Sequence, residues 1–110
     1  MEITTRDYQR ANVIRVTGRV DANTYSQLES KLKEYIDGGH KHLVLELDGI
    51  DYLGSAGARV LVSAQKALKQ HGGRVVITQP SERVKDVLAL AGLDVLFPTY
   101  DTTVAALGSE

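Results

Sequence analysis

One transition constrains this chain more than any other. Leu43-Val44-Leu45-Glu46-Leu47 is a short run, apolar except at Glu46, and Asp48-Gly49 closes it. A run of that length bounded by turn residues is the pattern of a central, largely buried strand. From Val60 the period changes. Val60, Leu61, Ala64, Ala67 and Leu68 recur at helical spacing, and Gly72-Gly73 ends the run in the manner of a helix C-terminus. Asp48 to Gly54 is predicted to be a loop between the two. Gly54-Ser55-Ala56-Gly57 then places Ser55 at or near a helix N-terminus, with its hydroxyl open to approach because its neighbours have almost no side chain. The tip Ile50-Asp51-Tyr52-Leu53 is expected to expose or half-expose apolar groups beside it. Serine is a preferred N-cap and needs no further role there. The unpaired N–H groups and partial positive charge of a helix N-terminus also tolerate an added phosphate.

The other segments fall into place around this unit. Ile3 to Gln9 and Val13-Ile14-Arg15-Val16-Thr17 read as strands joined by a tight turn at Ala11-Asn12, an antiparallel hairpin. Gly18-Arg19-Val20-Asp21 leads into a helix, where Thr24 with Gln27 forms a candidate capping box and Asn23 a competing cap. Tyr25, Leu28, Leu32, Tyr35 and Ile36 make its apolar stripe, and Gly38-Gly39 stops it. Arg74 to Thr78 reads as a strand. Ser81 caps a third helix with Val84, Val87, Leu88 and Ala91 as its buried stripe. Val95-Leu96-Phe97 reads as a short final strand ended by Pro98. A last helix from Asp101 to Leu107 packs Val104 and Leu107, and Gly108-Ser109-Glu110 is a frayed tail. Strands alternating with helices imply an α/β fold. The expected sheet is mixed but mostly parallel, of about five strands with about four helices. In such sheets functional groups collect at the carboxyl ends of the strands, which puts Asp21 and the stretch from Asp48 to Ser55 on one edge.

At 110 residues the chain is read as one domain, 1–110, large enough to bury a core unaided. Its 13 basic and 14 acidic residues give a net charge of −1, so no basic excess points to direct nucleic-acid contact. There is no cysteine, which removes disulfides, thiolate metal sites and thiol catalysis. No apolar run reaches membrane-span length, and the N-terminus lacks the apolar region of a signal peptide. A cytoplasmic location without membrane contact is the resulting expectation.

Catalysis fits poorly. Leu53 stands where a Gly-x-Ser-x-Gly nucleophile elbow has its first glycine. His40, His42 and His71 are all expected at the opposite edge of the sheet from Ser55, out of reach as a base. Gly54-x-x-Gly57 has no lysine to make a phosphate-binding loop, and His40-x-His42 is not joined by carboxylates into a metal site. No enzyme activity, cofactor or metal is expected. A recognition surface fits better. Asp21, Asp51 and Ser55 with Tyr52 and Leu53 make a mixed polar and apolar patch suited to a protein partner. Phosphorylation of a serine there adds about −1.5 to −2 charge, repelled by Asp51 and costly to bury.

Two segments resemble a known family. One is Gly18-Arg19-Val20-Asp21-Ala22-Asn23. The other, more specific, runs Leu45-Glu46-Leu47-Asp48-Gly49-Ile50-Asp51-Tyr52-Leu53-Gly54-Ser55-Ala56-Gly57-Ala58-Arg59-Val60-Leu61. Together with the element order they resemble the STAS domain (sulfate transporter and anti-sigma-factor antagonist), in particular the stand-alone bacterial anti-sigma-factor antagonists. The resemblance implies a phosphoprotein of signal transduction and transcription regulation that works by partner switching. Its unphosphorylated form binds an anti-sigma factor that is also a GHKL-type, ATP-using serine kinase, and so frees the sigma factor. Phosphorylation at Ser55 ends binding, and a metal-dependent serine phosphatase restores it. Asp21 matches a kinase-facing position of the family. Asp51, Tyr52, Leu53, Gly54, Ala56, Gly57 and Arg59 complete the expected partner-binding surface. The pattern departs at Gly54, where the family often has aspartate or serine, and at Ala58, where leucine is common. The alternative is a STAS accessory module of a membrane transporter or of a stress-signalling scaffold.

Overall fold

The computed structural model describes residues 1–109. Its elements are β1 (Glu2–Asp7), β2 (Asn12–Val20), α1 (Tyr25–Asp37), β3 (His42–Leu53), α2 (Ser55–Gln70), β4 (Arg74–Thr78), α3 (Glu82–Leu90), a 3₁₀ turn (Asp94–Leu96), β5 (Thr99–Tyr100) and α4 (Thr103–Gly108). The strands lie side by side in chain order, β1-β2-β3-β4-β5. Only the β1–β2 pair is antiparallel. The hairpin turn runs from Tyr8 to Ala11 and is not centred on Ala11-Asn12, and β1 ends at Asp7, two residues before Gln9. The Tyr8 N–H donates to the Ala11 carbonyl at 2.9 Å, and Asn12 already belongs to β2.

Alternation along the strands decides what each face meets. Ile14, Val16, Leu43, Leu45, Leu47, Val75 and Ile77 point to the face covered by α1, α2 and α3, where Leu28, Leu32, Leu61, Leu68, Val84 and Leu88 complete one core. Burying each such side chain contributes about 1.5–3 kcal/mol. Val13, Val44 and Val76 point the other way and meet Ala106 of α4 in a smaller cluster. On that second face Glu46 is buried, but not alone. Arg6 grips both carboxylate oxygens at 3.2 and 2.9 Å, and the Thr103 hydroxyl of α4 donates to Oε2. Thr78 and Thr103 share a further hydroxyl contact at 3.2 Å. A buried charge is tolerated when paired and hydrogen-bonded in this way.

Several sequence expectations need correction, among them Ala91, which is exposed at the end of α3 and not part of its buried stripe. The stretch from Asp48 to Leu53 is not a loop but the continuation of β3. It stays paired with β2, with Ile50 opposite Gly18, Tyr52 opposite Arg19 and Leu53 opposite Val20, across two irregularities. Gly18 takes φ +91° at one of them, a conformation that glycine reaches freely. Val95-Leu96-Phe97 is not a strand. Val95 is 85% exposed while Phe97 is buried, and the residues wind into the 3₁₀ turn. Pairing resumes only at Pro98, whose carbonyl accepts from Ile77 N at 2.9 Å. The last helix turns Thr103 and Ala106 inward and leaves Val104 80% exposed. Of the expected frayed tail, Gly108 ends α4 and the Ser109 hydroxyl donates to the Ala106 carbonyl at 2.6 Å. Glu110 lies outside the described residues.

Candidate functional site

The ends of β2 and β3 meet at one edge of the sheet, and α2 starts there. The Gly54 N–H donates to the Val20 carbonyl at 2.9 Å. This bond ties the chain leaving β3 to the end of β2. Gly54 is extended (φ −87°, ψ 176°) and occupies the N-cap position. Ser55 is therefore the first helical residue and not the cap. It is exposed, and no hydrogen bond joins its hydroxyl to another described residue. The first N–H groups of a helix have no intrahelical acceptor, so the hydroxyl sits in their positive field.

The height of this turn is set by Gly57. A Cβ there would lie 2.7 Å from Leu53 Cδ1 and 2.7 Å from Val20 Cγ1. Only glycine lets the first turn of α2 settle so closely on the two strand ends. Leu53 is itself 3% exposed, as is Ile50. The expectation that Leu53 and Gly57 offer contact surface is therefore corrected. Continued pairing with β2 turns the Leu53 side chain into the core, and both residues act by placing Ser55. Asp51 and Arg59 are exposed, while Tyr52, Gly54 and Ala56 are half-buried.

Asp21 stands beside this turn. Its Oδ1 accepts from the Asn23 N–H at 2.9 Å and from the Thr24 hydroxyl at 3.2 Å, and its Oδ2 accepts from Arg19 Nε at 2.7 Å. The Asn23 N–H, then the Arg19 guanidinium, hold its carboxyl below the ordinary value. The Thr24–Gln27 capping box does not form. The Thr24 hydroxyl instead turns back, donating to the Arg19 carbonyl at 2.8 Å and accepting from the Asp21 N–H at 2.9 Å. Asp21 is thus a charged, oriented acceptor at the edge.

Arg19 was missed as a site residue. It binds Asp21 and also lies 4.0 Å from the Tyr52 ring centroid, within cation–π range. Its position opposite Tyr52 depends on β3 being a strand this far along. Gly54 also acquires a physical meaning. A Cβ at this position would meet Tyr52 Cε2 at 3.3 Å, so the missing side chain makes room for the aromatic ring.

The arrangement is suited to recognition and to acceptance of a group at Ser55 Oγ. Among the described residues no histidine lies near that oxygen. His71 caps the far end of the 16-residue α2, about 24 Å along the axis, and His40 and His42 lie before and at the start of β3. Among the described residues no group of three or more His, Asp or Glu side chains is placed to hold a metal ion, and no helix is long and apolar enough to cross a membrane.

Comparison with known proteins adds four observations. The STAS domain family model matches residues 2–106. BtrV of Bordetella bronchiseptica, assigned by name to the anti-sigma factor antagonists, is 34% identical over 89 residues, which is 81% of this chain and 77% of that protein. Among solved structures, an anti-sigma factor antagonist from Mycobacterium paratuberculosis superposes with a TM-score of 0.88 at 26% identity, covering 98% of this chain and 92% of its own. The antagonist SpoIIAA in its unphosphorylated form gives 0.85 at 21% identity, covering 98% and 95%. At that identity the likeness concerns the fold alone.

Proposed function

The chain belongs to the STAS domain family, and on that premise we propose that it is an anti-sigma-factor antagonist switched by phosphorylation of Ser55. The names of its relatives support the first half of this reading. The observation that carries the second half is the exposed Ser55 hydroxyl, unbonded at the first position of α2 and beside the Asp21–Arg19–Tyr52 cluster.

In the unphosphorylated form Asp21, Asp51, Tyr52, Ala56 and Arg59 meet an anti-sigma factor of the GHKL kinase type, and the sigma factor is released. The kinase moves the γ-phosphoryl group of ATP onto Ser55 Oγ. The hydroxyl proton departs and ADP leaves. The added charge of about −1.5 to −2 is stabilised in the free protein by the helix N-terminus. In the packed complex it faces Asp51 and loses its water, so the partner dissociates. A metal-dependent phosphatase returns the serine by hydrolysis, releasing inorganic phosphate. The protein is a substrate and switch in this scheme, acting as a single domain in the cytoplasm without catalysis of its own.

The test is phosphorylation of the purified chain by its kinase and ATP, followed by tandem mass spectrometry. Phosphate is expected on Ser55, with Ser55→Ala unmodified but still bound by the kinase. Phosphate on Ser63 or Ser81 with Ser55 untouched overturns the assignment. An anti-sigma partner that fails to bind at all turns the reading towards a transporter or scaffold module.

A further inference from the structure

Two grooves flank α2, and their charges differ. The α1–α2 groove is lined by Glu29, Lys33 and Asp37 and so carries both signs. The α2–α3 groove has a volume of about 560 Å³ and begins at Ser55. Val62, Val87, Ala91 and Leu93 give it an apolar floor, and its only charged lining residues among those described are Arg59 and Lys66. Neither cation pairs with another described residue. They are seven residues apart on α2, two turns or about 10.5 Å.

Resting on the Ser55 reading above, we propose that this groove docks an amphipathic, acidic helix of the anti-sigma partner. Its apolar face lies on Val62, Val87, Ala91 and Leu93, and carboxylates two turns apart meet Arg59 and Lys66. The charge complementarity selects the occupant: an apolar trough with two unpaired cations and no anion suits an acidic helix, the usual guest of such a trough being a helix with anchors at i, i+3, i+4 and i+7. The groove is also continuous with the switch. Ser55 forms its end, and Arg59 is four residues on, on the same helical face. A phosphate on Ser55 pairs with Arg59 and turns that end of the groove from positive to negative. Phosphorylation thereby expels the acidic helix as well as disturbing the contacts at the strand ends.

The experiment is calorimetric binding of the purified anti-sigma partner at several salt concentrations. The proteins are wild type, the Arg59→Glu/Lys66→Glu double variant and Ser55→Asp. Both cations are exposed, so the double variant keeps its fold, checked by its thermal melt. It is expected to bind about tenfold more weakly at low salt, the combined size of two rim charge contacts, with a flatter salt dependence. Arg59→Lys is expected to retain most of the affinity. If wild type binds and Ser55→Asp does not, but the double variant binds within about twofold of wild type, the groove proposal fails while the switch stands. If Ser55→Asp binds as wild type does, the switch reading fails and this proposal with it. Sedimentation showing that wild type dimerises and the double variant does not assigns the groove to a second copy of the chain and also overturns it.

Discussion

Asp21 and Glu46 are both carboxylates held by an arginine, and both release their protons more readily than a free side chain. The causes differ. Asp21 owes its shift to the Asn23 N–H and then to Arg19. For Glu46, burial pushes the carboxyl up, and the hydrogen bonds from Arg6 and Thr103 outweigh it. Asp21 ends as a half-buried acceptor at the sheet edge from which α2 starts. Glu46 is 6% exposed and fastens α4 to the sheet. A charged pair therefore does not announce its use. Position on the sheet does: the carboxyl edge presents Asp21, whereas the middle of a face encloses Glu46.

The contrast is broken most forcefully at Glu46. Glu46→Gln is expected to destabilise the fold by about 3 kcal/mol in urea unfolding, the lower end for a buried pair that loses one partner, because Arg6 can still reach water. Binding of the anti-sigma partner by the folded fraction should be unchanged. The pH dependence has a definite sign. A carboxyl lowered on folding adds stability that is fully present above its ordinary value of 4.5 and disappears as pH falls through the folded value. Wild type and Glu46→Gln should accordingly differ most above about pH 5 and converge in more acidic solution. A constant gap down to pH 2 would remove the ionic account of α4 docking.

The next effect belongs to the edge. Gly57→Ala must displace Leu53 or Val20 and is expected to cost about 2 kcal/mol, as overpacking does. It is also expected to move Ser55, so the phosphorylation proposed there should slow, which a merely local loss of stability would not produce. The smallest stability effect is that of Asp21→Ala, which loses only the turn contact with the Asn23 N–H and the pairing with Arg19 at the edge. Here binding should suffer more than folding, the reverse of Glu46→Gln. Equal losses of both in the two variants would erase the distinction between edge and face.

Much of this was legible in the chain. The alternation of Leu43, Leu45 and Leu47 with Val44 and Glu46, followed by helical spacing from Val60, specified the strand–helix unit. The small residues around Ser55 specified an open helix start. What was not legible depended on partners distant in sequence. Asp48 and Gly49 look like turn residues, yet pairing with β2 keeps β3 extended to Leu53. Val95-Leu96-Phe97 has strand composition, but only Phe97 finds a place in the core. Thr24 has cap chemistry, and Asp21 and the Arg19 carbonyl claim its hydroxyl first. Arg19 gains its role only because Tyr52 is its cross-strand neighbour.

The most direct measurement is the affinity of the anti-sigma partner for wild type and Ser55→Asp, by titration calorimetry on the purified proteins. The account predicts a loss of about 30-fold or more, the order of an uncompensated charge brought into a packed interface, with the fold of the variant intact by thermal melt. Equal affinity of the two proteins would contradict it and leave Ser55 as an ordinary first residue of a helix.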